Sequence, residues 1–228
     1  MGYKIDWDKL GERYFEAGVD RGVLYLLSAE KKYDKGFPWN GLKNVTEKPS
    51  GAEPSPKYAD NIKYLNLVGP EDYAFGIEAF TYPDEFEACD GSASPVKGLS
   101  IGQQRRELFG FSYRTKLGND VDGEEHAYKL HLVYNCLASP SEKSFGTINE
   151  STEEVSFNWD CTTTPVVIEG HKPSAVLTIN SKTVDAAKLA ELEKILYGTA
   201  ATTEPQASAV EPRLPWPDEV ITLLKAQG

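Results

Sequence analysis

The side chains able to do acid–base, nucleophilic or metal chemistry are few and scattered. The three histidines are His126, His131 and His171. No two of them stand at a spacing that brings two imidazoles onto one metal. None adjoins a serine or an acid in the manner of a nucleophile–base–acid relay. They read as ordinary turn and strand histidines. The three cysteines, Cys89, Cys136 and Cys161, are odd in number and include no C-x-x-C, which argues against a disulfide framework and against structural zinc. Cys136 and Cys161 fall within alternating strands and read as small core residues. Cys89 falls in a loop, where exposure is open to it.

Acidic residues gather in two places. Asp120, Asp122, Glu124 and Glu125 share a turn. They lack the alternating ligands and distal glutamate of a calcium loop and read as a solvated tip. Asp84, Glu85, Glu87 and Asp90 offer carboxylates, but nothing sets two of them across a pocket. Asn44-Val-Thr46 and Asn149-Glu-Ser151 match the glycosylation pattern by chance, because Met1–Leu10 has no apolar leader core. No phosphate-binding glycine loop, dinucleotide fingerprint or nucleophile elbow occurs. The expectation is a protein that is no enzyme and holds no cofactor and no metal.

Bulk composition narrows the partners. A net charge of −11 repels phosphate, so the chain should grip neither nucleic acid nor an anionic membrane surface. No apolar run approaches the ~20 residues of a membrane span, and the thiol usage suits reducing cytoplasm. A chain of 228 residues is long enough for one core without staples. Its 12 tyrosines suit strands and association surfaces.

The elements that must position these residues are mostly strands. Val19–Leu27 is a near-continuous apolar run, the pattern of a strand buried on both faces. Phe109, Phe111, Tyr113, Thr115 and Leu117 alternate, a turn follows at 118–123, and Tyr128, Leu130, Leu132, Tyr134 and Cys136 alternate on the return. Further strands are expected at 62–67, 73–79, 99–103, 155–161, 166–168 and 175–179, with one helical turn within 83–90. One helix is expected over Val184–Tyr197, with Leu189, Leu192, Ile195 and Leu196 as its docking stripe and Gly198 as its stop.

Residues 28–61 carry so many glycines and prolines that they read as a long irregular, partner-binding loop. The segment 1–17 reads as an N-terminal arm. Residues 199–209 read as a linker to an apolar C-terminal arm. The expected fold is mainly β: a β-sandwich with one flanking α-helix over 1–198, and a linker with C-terminal arm over 199–228. Phe37, Trp39, Leu42, Leu214, Trp216, Val220 and Leu223 are the expected contacts between subunits. Deleting everything after Tyr197 should then leave the body folded.

Several stretches in fixed order carry a family likeness: Gly11-Glu-Arg-Tyr14, Gly18-Val-Asp-Arg-Gly-Val-Leu-Tyr25, Trp39-Asn-Gly-Leu42, Tyr58-Ala-Asp-Asn-Ile-Lys-Tyr-Leu65, Tyr82-Pro-Asp-Glu-Phe86, Ile101-Gly-Gln-Gln104, Lys129-Leu-His-Leu-Val-Tyr134 and Leu214-Pro-Trp-Pro-Asp-Glu219. Together they resemble the major tail protein, or tail tube protein, of long-tailed non-contractile bacteriophages. The resemblance implies rings of six subunits stacked into a hollow tube, inner sheets joined into one barrel, and a long loop and arms reaching adjacent rings. It implies DNA passing transiently through the lumen, and partners that are further copies of the chain with the tape measure, tail tip and terminator proteins. It places the protein in the virion tail after assembly in host cytoplasm. The acids at 120–125 would then line the lumen or a tip. The alternatives are a monomeric β-sandwich binding module and the tube of a contractile or secretion system.

Overall fold

A computed structural model describes residues 4–147, 154–203 and 206–225. Tyr3 and the Asn149–Ser151 match lie outside these. In chain order the elements are β1 (Tyr14–Leu26), β2 (Lys35–Pro38), β3 (Leu42–Glu47), β4 (Ser50–Gly51), β5 (Pro54–Ala59), β6 (Ile62–Val68), β7 (Glu71–Asp72) and β8 (Ala74–Ala79). A 3-10 turn (Asp84–Ala88) follows, then β9 (Ala93–Val96), β10 (Leu99–Ile101), β11 (Phe109–Asn119), β12 (Gly123–Ala138), β13 (Phe157–Thr163) and β14 (Val176–Asn180). The chain ends with α1 (Ala186–Tyr197), the short pair β15 (Thr202–Thr203) and β16 (Gln206–Ala207), and α2 (Pro217–Leu224). The fold is mainly β.

One antiparallel sheet organises the molecule, in the order β2-β1-β11-β12-β13-β8-β3. The long strand β12 carries two neighbours on one edge: β14 along Lys129–Val133 and β13 along Cys136–Ala138. The stretch 35–47 closes the curl. Its first half, β2, pairs with β1 at Val23–Leu26, and the Trp39 amide donates to the Gly22 carbonyl at 2.8 Å. Its second half, β3, then pairs with β8. The curled sheet thus faces itself as a sandwich does.

Alternation assigns each face a core. Leu24, Phe111, Val133 and Trp159 point inside the curl, where Phe86 of the 3-10 turn joins them. Tyr25, Leu130, Leu132 and Tyr134 point outward, where the helices cover them. Both faces of the β1 run are therefore buried, as its apolar continuity predicts. Asp185 caps α1 by accepting from the Ala187 and Lys188 amides at 3.0 Å each, and Gly198 leaves the helix at φ +72°. Leu189, Leu192 and Leu196 are the buried stripe.

Four expectations need correction. Residues 28–61 are not an irregular loop: they form β2 to β5, with glycine and proline marking the turns between short strands. Gly41 and Gly51 hold φ of +69° and +79° at such turns. Residues 166–168 form no strand, and only Val166 bridges Ser174. There is a second helix, α2, begun by Pro217 at a position where its missing amide costs nothing. Finally, the C-terminal segment is no free arm. The Leu214 amide bonds the Tyr33 carbonyl at 3.2 Å, the Tyr134 hydroxyl donates to the Pro215 carbonyl at 2.9 Å, and Leu214 and Val220 complete the outer core.

Candidate assembly surfaces

The apolar residues expected to meet other subunits are placed largely inside the single chain. Trp39 is 3 % exposed. Its ring lies 4.7 Å from that of Phe86 and 5.5 Å from that of Phe111, and its indole N–H donates to the Thr81 carbonyl at 3.1 Å. Phe37 and Leu42 pack half-buried against the same core. Leu214 is 2 % exposed and Val220 is buried, while Trp216 and Leu223 pack half-buried beside them. The physical reason is plain: the outer face of β1, β11 and β12 is apolar, and the nearest cover is the chain's own C-terminus.

The acids at 120–125 do occupy a hairpin tip, but most are engaged. Asp120 accepts the Gly11 amide at 3.0 Å and lies 3.9 Å from Arg13, which fastens the N-terminal segment to the tip. Asp122 bonds His126 at 2.7 Å, and that bond holds its carboxyl below the usual range. Glu124 pairs with Lys116 at 3.0 Å, and Glu125 is exposed. Asp90, from the other acidic group, is drawn inward to Lys143 at 2.8 Å, the Trp159 indole at 3.0 Å and Arg106 at 3.4 Å.

The thiols are not nucleophiles in waiting. Cys89 is fully buried, because the Phe86 turn carries it into the inner core. Burial pushes its thiol up to about 12 and raises those of Cys136 and Cys161 as well, so all three stay protonated at neutral pH. His131 is buried too. Its ring stacks on Tyr113 at 4.5 Å and bonds the Thr115 hydroxyl at 2.9 Å, and burial lowers its basicity.

What the chain leaves uncovered lies elsewhere. Hairpin β5–β6 is exposed along its whole length and carries Tyr58 at 70 % and Tyr64 at 69 % exposure, with Ile62, Leu67 and Val68 beside them. Hairpin β9–β10 is likewise exposed and presents Val96, Leu99 and Ile101. Ile5, Trp7 and Leu10 stand exposed on the N-terminal segment. A lone two-stranded hairpin is marginal in water, and clustered exposed apolar side chains mark interaction surfaces. The sequence held one usable signal for the first hairpin: Tyr-Ala-Asp-Asn-Ile at 58–62 puts Asp60 and Asn61 at the turn, where both adopt positive φ.

Two strand edges are open as well. β1 pairs with β2 only from Val23 onward, so its 14–20 half has a partner, β11, on one side alone among the described residues. Among the described residues β14 pairs only with β12. These two open edges bound a four-stranded sheet, β1-β11-β12-β14.

No protein-family model matches the chain, and no curated protein matches it in sequence. Solved structures give weak likenesses. The sheath–tube complex of the PVC extracellular contractile injection system aligns at TM-score 0.33 and 15 % identity, over 70 % of this chain and 88 % of that one. The baseplate of the anti-feeding prophage aligns at 0.33 and 10 %, over 71 % and 94 %. The PVC sheath/tube terminator aligns at 0.30 and 13 %, over 77 % and 99 %. Values this low establish neither a common fold nor a common role.

Proposed function

We propose that this chain is a non-catalytic structural subunit that polymerises with identical copies as the tube of a bacteriophage tail. The observation that supports the reading best is the sheet β1-β11-β12-β14 with an open edge on each side. Four antiparallel strands are an even number, so the outer strands run in opposite directions. When β14 of one copy meets β1 of the next, that joint is antiparallel too, and each copy repeats the geometry. Closing such a row into a ring pairs every edge, which removes the hazard of exposed edges. The protonated, sealed thiols also favour a structural role over a cysteine nucleophile.

The finer features of the proposal follow the family resemblance: six copies to a ring, rings stacked into a conduit for genome delivery, tape measure, tail tip and terminator proteins as neighbours, and the virion tail as destination. A chain of net charge −11 suits a wall past which DNA slides without sticking. Negative-stain electron microscopy of the concentrated protein tests the reading. Rings or hollow tubes of uniform width are expected; dispersed single particles under all concentrations and salts would sink it.

A further inference from the structure

Hairpin β5–β6 and hairpin β9–β10 leave opposite ends of one strand. The first is attached through β4 and β7 where β8 begins, beside the Glu47–Phe75 pairing. The second follows the 3-10 turn that comes after β8 ends at Ala79, beside Leu42. Each end therefore carries a different uncovered, apolar hairpin. They also differ in charge. Residues 54–68 hold Lys57 and Lys63 against one acid, Asp60. The other end has a groove of about 640 Å³ between the 3-10 turn and β9–β10, lined by Asp84, Glu85, Glu87, Lys97 and Leu99. Asp84 and Glu85 are exposed there, and Glu87 is bonded to Ser94 across the groove floor.

We propose that hairpin β5–β6 of one copy seats in this groove of a second copy, Lys57 and Lys63 against Asp84 and Glu85, and Tyr58 and Tyr64 against Leu99 and its apolar neighbours. The inference rests on the tube reading and specifies which surfaces join successive rings. Strand rise gives a six-residue hairpin arm a reach of roughly 17–20 Å, enough to leave its own body. The occupant is another copy because both halves of the contact, complementary in charge and both apolar, belong to this chain at opposite ends. Two different patches on opposite ends make a head-to-tail contact, which repeats without closing and so builds length. The open edges of β1 and β14 meanwhile serve the ring.

Charge reversal and rescue test this. The Lys57→Glu/Lys63→Glu chain should keep its circular dichroism spectrum and its thermal midpoint, because both lysines are exposed. It should still form rings by native mass spectrometry, while mean tube length in electron micrographs falls about tenfold or more, since like charges across an interface are strongly repulsive. The Asp84→Lys/Glu85→Lys chain should behave in the same way. Combining all four substitutions in one chain should restore length to within about threefold of wild type. Tubes of wild-type length from the lysine-reversed chain, or a loss that the acid reversal fails to repair, would overturn the pairing and leave the tube reading standing. Wild-type protein that forms neither rings nor tubes overturns both.

Discussion

Trp216 stacks on Tyr134, ring centroids 5.8 Å apart and planes 16° from parallel, and so clamps the chain's last segment across the centre of β12. Tyr33 packs against both rings, 5.1 Å from the indole and 6.3 Å from Tyr134. The clamp makes residues 211–225 part of the body. Trp216→Ala should lower the unfolding free energy in urea by about 3 kcal/mol. Removal of everything after Tyr197 should abolish the cooperative transition, because Leu196 and Tyr134 lose their cover. A truncated chain that melts like wild type would show the segment to be dispensable.

Trp39 carries a comparable load in the inner core, where it meets Phe86, Phe111 and Trp159. Trp39→Ala should cost about 3–5 kcal/mol, read as a lower urea midpoint in the dispersed protein. Loss of assembly without any loss of stability would contradict this placement and return Trp39 to an interface role.

His131 links stability to pH. Its folded pKa lies below the ordinary 6.5, chiefly because burial disfavours the imidazolium. Glu47, 3.5 Å from the ring, and Glu16 pull the other way, and Lys129 adds to the lowering. An unfolded histidine takes up its proton first as pH falls, so the native state loses stability from about pH 6.5 downward until its own lowered pKa is reached. The stability contribution is fully present above the unfolded value. Urea midpoints at about pH 7.5 and pH 5.5 should therefore differ less in His131→Gln than in wild type. Equal differences would remove His131 as a source of the acid sensitivity.

Hydrogen exchange separates the two edges that the ring is proposed to join. In dispersed protein, outward amides of 14–20 in β1 and of 176–180 in β14 should exchange fast, while those bonded to β11 and β12 exchange slowly. In assembled material the outward set should slow by at least about a hundredfold. Unchanged exchange after assembly would mean that ring contacts use other surfaces.

Period-two patterns were legible wherever a strand was long and one face met a core. The run from Phe109 to Cys136 declares both strands and their turn, and the Leu189–Leu196 spacing declares α1 and its buried side. Residues 28–61 were illegible for a physical reason. Their strands are two to six residues long, too short to establish a period, and β5 carries Pro54 and Pro56, which an exposed edge tolerates and a central strand does not. Burial against one's own chain and burial against a neighbour leave the same mark on composition, so the sequence could not tell that Trp39, Leu214 and Val220 are covered within the chain. Trp39 and Trp216 had to be covered, and only the fold says by what. Conversely, Tyr58, Tyr64 and Leu99 look like ordinary strand residues until the structure leaves them with nothing beneath.

The pairing of β1 with β11 also sets a clock on biosynthesis. Asp20 and Arg114, bonded across that pairing at 2.7 Å, are 94 residues apart in the chain. At ribosomal speed the second partner emerges roughly 5–20 s after the first. Throughout that interval Val23, Leu24 and Tyr25 wait on a nascent strand with neither core built, a window in which a holdase chaperone would find them.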